Sequence, residues 1–381
     1  MGPLSGVKVV EFAGIGPGPM CCMLLADMGA TVIRIDRAAN VDRDIIEPRF
    51  NTLLRGRKNI AIDLKCDAGR DAALALCDQA DILIEGFRPG VMERLGVGPD
   101  VVMARNPKIV YGRMTGWGQT GPIAHTAGHD INYIALTGAL HAIGTPESGP
   151  VPPLNLIGDF GGGALYMAMG ALAAYIEANR SGKGQVVDTS MVEGAASLMT
   201  AAYGHLAAGA FIEQRQSNRL DGGCHHYNTY ATADGEHICI GSNEPQFYQL
   251  LLKTLQLDPT ELPEQTDREQ WPVMRAKFAA IFKTKTRDEW TELMAQQDVC
   301  FAPVLRMSEA LEHAHNVDRG SFVNIDDVPQ PAPAPRFERT PGKVQMGSAH
   351  TGEHTNEALA EWGFDAAYLS ELEASGAIRQ R

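Results

Sequence analysis

Three short segments of this 381-residue chain set an ionisable group beside glycine or at an element boundary: Gly128-His129-Asp130-Ile131-Asn132-Tyr133, Asn155-Leu156-Ile157-Gly158-Asp159-Phe160-Gly161-Gly162-Gly163, and Gly241-Ser242-Asn243-Glu244-Pro245-Gln246-Phe247-Tyr248. An imidazole titrates near neutrality, so His129 suits proton transfer in both directions. Asp159 directly precedes a glycine-rich helix, and by residue chemistry alone it reads as that helix's N-cap. His129-Asp130 likewise reads as a helix start capped by Asp130, and Glu244, before proline, as a turn carboxylate. No metal site is expected, because His129 has no spaced partner histidine and Cys224-His225-His226 is a lone cluster.

These groups must be positioned by alternating strands and helices. Val7 to Phe12 reads as a strand, Gly14, Gly16 and Gly18 as a turn, Pro19 to Met28 as a helix, and Thr31 to Ile35 as a strand closed by Asp36. A dinucleotide fingerprint is incomplete here: Pro19 stands where a third glycine is needed, and Pro17 removes an N–H that should face a pyrophosphate. A helix at Asp67 to Gln79 and a strand at Ile82 to Ile84 continue an α/β pattern with a parallel sheet. Met114 to Gly128 reads as irregular, and helices are expected over Ile131 to Leu140, Gly161 to Ala178 and Met191 to about Ala208, with a strand at Val186 to Thr189. Beyond this, Tyr227 to Thr232 and His237 to Ile240 flank Asp234-Gly235 as a hairpin. Helices at Trp271 to Phe282 and Thr286 to Gln297 follow, then a strand at Cys300 to Leu305. The expected organisation is a large Rossmann-like domain over 1–198 completed by 330–381, a linker at 199–224, and a smaller α+β domain at 225–329. Pro329 to Pro335 reads as an extended linker, and a helix from Thr355 to Trp362 as returning to the first domain.

Composition narrows the function classes. A net charge of −13 argues against a nucleic-acid partner. Between Arg34 and Lys58, however, seven basic residues (34, 37, 43, 49, 55, 57, 58) face four acidic ones (36, 42, 44, 47), which suits either a solvated loop or a phosphate niche. Seven cysteines without paired spacing read as reduced thiols. No stretch reads as a membrane span or a secretory leader, which points to the cytoplasm.

Taken together, Gly16-Pro17-Gly18-Pro19, Val32-Ile33-Arg34-Ile35-Asp36-Arg37, Arg113-Met114-Thr115-Gly116-Trp117-Gly118-Gln119, Ala127 to Tyr133, Gly182-Lys183-Gly184-Gln185-Val186, Leu220-Asp221-Gly222-Gly223 and Glu244 to Tyr248 form a specific signature over nearly the whole chain. It resembles the α-methylacyl-CoA racemases within the class III CoA-transferases. The resemblance implies an α/β class III CoA-transferase fold in an interlocked homodimer. His129 and Asp159 would be the catalytic pair and Glu244 would sit near His129, from its own or the partner chain. It further implies CoA contacts from Arg37, Ile62, Asp63, Leu64, Lys65 and Arg88, with Gly128, Asp130, Ile131, Asn132 and Tyr133 lining the thioester. No cofactor beyond the CoA of the substrate is implied.

Under that resemblance the expected reaction is epimerisation of 2-methylacyl-CoA thioesters by two bases on opposite faces of the α-carbon. The rival is a CoA-transferase using Asp159 as nucleophile, for which a histidine at position 129 is uncommon. A protein that binds CoA without turnover is the third reading, and the acid/base pair speaks against it. Two departures from the family pattern stand out. Cys224-His225-His226 replaces Ala-Pro and an aromatic residue, and Ser242-Asn243 replaces a more apolar pair. If the first borders the acyl channel, it would favour a more polar or sterol-like tail.

Overall fold

A computed structural model describes residues 2–381, which fall into two compact units. Of the described residues the first comprises 2–137, 154–198 and 314–381; the second comprises 138–153 and 199–313.

The first unit is built on six parallel strands: β1 (Lys8–Phe12), β2 (Thr31–Arg37), β3 (Arg57–Ile62), β4 (Ile82–Glu85), β5 (Val110–Thr115) and β6 (Val186–Ser190). Their spatial order is β3-β2-β1-β4-β5-β6, so the chain steps outward in one direction from β1 and then starts again on its other side. Val10 pairs with Ile33 of β2 and Leu83 of β4, and this central strand is buried on both faces. One face carries helix α1 (Pro17–Asp27) and the run Leu156–Ser181, packing Leu25, Met167 and Ala171 on Val9 and Val32. The other carries helix α2 (Asp67–Cys77) and the C-terminal helices Thr355–Glu361 and Ala366–Ala374, which bring Leu76, Leu359 and Trp362 onto Ile35 and Ile60. Covering both faces explains why β1, β2 and β4 read as largely apolar runs.

Two strands escape the periodicity argument, and both carry buried charge. β3 begins Arg57-Lys58-Asn59, and β5 holds Arg113 in mid-strand. Charge patterning misled at β2 and β3 as well. Arg34 and Arg57 are buried against one buried carboxylate, Glu11. Arg34 Nη1 lies 2.6 Å from Glu11 Oε1, and Arg57 Nη1 bonds Oε2. Burial alone would raise the Glu11 carboxyl's pKa, but Arg57 and Arg34 more than offset it and hold it below the usual range. Arg55 is likewise buried against Asp27, at 2.6 Å. Three of the seven basic residues between 34 and 58 are therefore internal ties, neither a solvated loop nor a phosphate niche.

Other expectations need correction. The helix expected at 161–178 is longer, because the segment Leu156–Ala164 forms π-helical turns that run directly into an α-helix at Leu165–Ser181. The joined run has the length and mean hydropathy, 1.3 over an 18-residue stretch, of a candidate membrane span, which the sequence was not expected to contain. Its buried side, Met167, Ala168, Ala171 and Ala174, lies on the sheet. The helix expected over 191–208 breaks at Met199 into 191–198 and 200–207. The one expected over 131–140 breaks at Gly138, whose φ is +75°. Part of the linker read at 329–335 is a strand, Val328–Pro331, paired with Phe322–Ile325. Arg55 Nη1 fastens it through Gln330 Oε1 and the Pro331 carbonyl.

The second unit holds an antiparallel sheet of Tyr227–Ala231, His237–Gly241 and Phe301–Pro303, with Asp234-Gly235 turning the hairpin as expected. Helices Pro245–Thr254, Trp271–Phe282 and Arg287–Met294 pack over it around Tyr230, Ile238, Phe278 and Trp290. His225 and His226 are buried edge-on to Tyr248, Phe278 and Trp271, so they are core residues of this unit and not a channel wall. His225 Nε2 bonds Tyr248 Oη at 2.8 Å. Burial, with the neighbouring charges adding to it, depresses their pKa values to about 3 for His225 and about 4 for His226. Both rings stay neutral in the fold, whereas the unfolded chain takes up protons below about pH 6.5. Stability is therefore lost as pH falls from 6.5 towards 4, by about 1.4 kcal/mol per pH unit per histidine. Urea melts followed by tryptophan fluorescence between pH 7 and 4.5 should show this slope and His226→Phe should flatten it; an unchanged slope in that variant contradicts the assignment.

Candidate active site

In an open parallel sheet a ligand binds beyond the carboxyl ends of the strands, where the strand order reverses. Here that point lies between β1 and β4. A cleft of about 550 Å³ opens there, lined from β1 and its loop by Phe12 and Gly14–Pro19, from β4 by Ile84–Pro89, and from β5 by Met114–Trp117. His129, Tyr133, Asn155 and Asp159 are also in the wall. The two proton-transfer candidates, separate in sequence, thus share one cavity.

His129 precedes helix Asp130–Ala135 as its cap residue, with extended backbone (φ −134°, ψ 174°). The cap bond runs from the His129 N–H to Asn132 Oδ1 at 3.0 Å, so Asn132 supplies the side chain and the imidazole stays exposed in the cleft. Beneath it Tyr133 is buried edge-on to Trp117, 4.8 Å between centroids, and its hydroxyl donates to the Gly128 carbonyl.

Asp130 does not cap its own helix. Its Oδ2 accepts the backbone N–H of Asp159 at 2.7 Å, tying the two segments together. Gly158 makes this possible, since a Cβ there would lie 2.6 Å from the same oxygen. Asp159 in turn does not cap a helix. It sits within the π-helical turns 156–164, half-buried, with Asn155 Nδ2 donating to its Oδ2 at 3.1 Å. Desolvation raises its carboxyl above the ordinary range and the negative Asp130 adds to this, while Asn155 and His129 act in the opposite direction. Helix α1 starts beside it with proline at 17 and 19, so that first turn lacks two of the N–H donors that would stabilise an anion.

Other expected site residues are distributed unevenly. Arg88, Gly128, His129, Tyr133 and Asp159 line the cleft. Asp130 lies behind the wall, and Ile131 and Asn132 are exposed but not part of it. Arg37 ends β2 and is exposed; Ile62 ends β3, fully buried and paired in the backbone with Arg37 on one side and Ile378 on the other. Asp63, Leu64 and Lys65 follow it, with Asp63 Oδ1 accepting the Lys65 N–H at 3.0 Å. These groups lie at the same carboxyl edge of the sheet. Glu244 is in the second unit, an exposed cap residue of helix 245–254.

Sequence reasoning missed Asn155 and Glu85 as site residues. Glu85 is buried at the end of β4 on the cleft wall, accepting from the Phe87 N–H at 2.7 Å and from Arg113 Nε at 2.9 Å. Burial pushes its carboxyl up to about 7 despite those two donors. Asn155 lies four residues before Asp159, a helical spacing that would have placed it alongside had the turns been read as helix.

A model of CoA-transferase family III matches residues 4–355. The chain is 46% identical over 371 residues to an alpha-methylacyl-CoA racemase of Mus musculus, spanning 97% of this chain and 96% of that one. It is 42% identical to the Homo sapiens protein of the same name, over 98% and 97%. Among solved structures, a CAIB/BAIF family protein from Brucella suis superposes with a TM-score of 0.83 at 25% identity, covering 95% of this chain and 99% of that one.

Proposed function

Because the chain belongs to CoA-transferase family III, we propose that this cleft interconverts the (2R) and (2S) epimers of 2-methylacyl-CoA thioesters, with His129 and Asp159 on opposite faces of the α-carbon. The enzyme is an isomerase of the racemase type, as the near-full-length relatives of that name support. The observation that carries the assignment of roles is the half-buried Asp159 carboxyl, held above its ordinary pKa in the same cleft as an exposed imidazole.

A thioester α-proton is weakly acidic, and its removal leaves an enolate. In one direction His129 takes the proton and neutral Asp159 returns one to the opposite face; in the other direction the roles exchange. Only the neutral carboxyl can donate a proton, and desolvation of Asp159 favours that form. Main-chain N–H groups at the start of helix Asp130–Ala135 are the proposed donors to the enolate oxygen. Arg88 on the cleft wall, and Arg37 with the segment 62–65 at the neighbouring strand ends, are the proposed CoA contacts, whose binding energy holds the α-carbon between the bases. No further cofactor enters this scheme. Glu244's proposed place near His129 rests on the family resemblance. So does the interlocked homodimer, which the exposed Leu165, Met169 and Ile176 on helix 165–181 support. Seven free cysteines suit a reducing compartment, and the cytoplasm is proposed.

Incubating the protein with a single epimer of a 2-methylacyl-CoA in deuterated water tests the reading. Deuterium at the α-carbon together with the opposite epimer is expected. An α-carbon that stays unlabelled rejects it, and acyl exchange onto added free acids would instead favour a transferase with Asp159 as nucleophile.

A further inference from the structure

The loop Gly14–Pro19 forms the stretch of cleft wall that meets Asp159. Gly16 has φ +68°, a conformation that glycine adopts freely and other residues seldom do. A Cβ at this position would lie 3.0 Å from Asp159 Oδ2 and 3.5 Å from its Cγ. The loop cannot easily retreat from such a clash. Arg34 Nη2 holds the Gly14 carbonyl at 3.2 Å, and Arg57 Nη2 holds that of Pro19 at 2.9 Å. Both guanidiniums are anchored on buried Glu11, and the pyrrolidine rings of Pro17 and Pro19 stiffen the segment between them. The carboxyl is equally constrained, since Asn155 Nδ2 holds Oδ2 and Asp130 holds the backbone N–H of Asp159.

We propose that Gly16 is a positioning residue for Asp159: the missing side chain leaves the space in which the carboxyl stands when it exchanges a proton with the substrate. The inference rests on the two-base reading above. Any side chain at 16 displaces the carboxyl and disturbs its bond to Asn155, while the imidazole of His129, carried on a different segment, keeps its place. The damage is therefore one-sided. The epimer whose α-proton faces His129 still loses and regains that proton, whereas the epimer facing Asp159 exchanges and inverts more slowly.

Full-length Gly16→Ala is assayed in deuterated water from each epimer separately. The carboxyl must give by a few tenths of an ångström, and interconversion should fall about 10-fold, short of the roughly 10²-fold cost of a 1 Å misplacement. Deuterium should still enter the His129-facing epimer at near the parental rate. Asp159→Asn should show the same one-sided pattern, and adding Gly16→Ala to it should leave the residual exchange within about twofold, since both changes remove one function. Gly6→Ala isolates the strain effect: Gly6 has φ +93° with open space around the added Cβ, so its melting temperature should drop while both epimers react normally. Equal loss of exchange from both epimers in Gly16→Ala, undiminished interconversion, or a further large loss on the Asp159→Asn background overturns the proposal. Should Gly16→Ala fail to fold, Asp159→Glu pushes the carboxyl into the same space without touching the loop, and full interconversion by that variant also overturns it. If the parent enzyme labels neither epimer, the two-base reading itself has failed, an outcome distinct from all of these.

Discussion

His129→Ala is expected to lower interconversion of the epimers by about 10²- to 10⁴-fold, the usual worth of a positioned general acid/base. The protein should remain folded. The imidazole is exposed, and the cap bond at this position is made by the His129 backbone N–H to Asn132 Oδ1, which alanine preserves. The residual exchange should be the mirror image of that left by Asp159→Asn, confined to the epimer whose proton faces the carboxyl. Circular dichroism and melting temperature should match the parent, so a rate loss would report chemistry and not unfolding. Full activity in this variant would remove the two-base mechanism. It would also remove the distinction from a transferase, because an aspartate at 159 is compatible with either reaction.

Glu11→Ala should destabilise the first unit by about 3–5 kcal/mol, the usual effect of deleting one partner of a buried ion pair. Glu11 and Arg57 are each 1% exposed and Arg34 6%. Arg34 retains Asp36, at 2.9 Å, but Arg57 loses the carboxylate it is bonded to. Urea denaturation, compared at matched slope, reads the change directly; a loss under about 1 kcal/mol would place the pair in the range of surface salt bridges and reject the argument. Because the same guanidiniums hold the carbonyls of Gly14 and Pro19, any Glu11→Ala protein that folds should also interconvert epimers more slowly. Coupling of this kind links a structural network on the sheet to the carboxyl that faces it.

How the sequence and the structure divide the credit is clearest in particular residues. β1, β2 and β4 are apolar runs and were legible as strands, as was the hairpin at Asp234-Gly235, because each depends on its own side chains and turn chemistry. β3 was not, since Arg57, Lys58 and Asn59 find partners far away in the chain: Glu11, the 357 and 361 carboxylates, and Asp36. Charge spacing counts residues along the chain and has no access to such pairings. The π-helical turns at 156–164 were hidden for a related reason: a glycine-rich stretch has little local preference, and its contacts decide its form. A Cβ on Gly194 would lie 1.9 Å from the Gly162 carbonyl, so the two segments meet with nothing but backbone between them.

The candidate site divides in the same way. His129 and Asp159 were recognisable by residue type and by the family signature around them, and the belonging of the chain to CoA-transferase family III agrees with that signature. Local chemistry alone made both of them helix-start residues, and there it was partly right, since His129 does precede a helix. Only the folded chain shows that Asp130 accepts from Asp159, that Asn155 steadies its carboxyl, and that Gly16 leaves it room. The sequence by itself determined which groups can move a proton, because that is a property of the side chain. Tertiary structure decided which of them are desolvated and what stands beside them, because burial and through-space neighbours exist only once β1, β4 and the 156–164 turns have been brought to one end of the sheet.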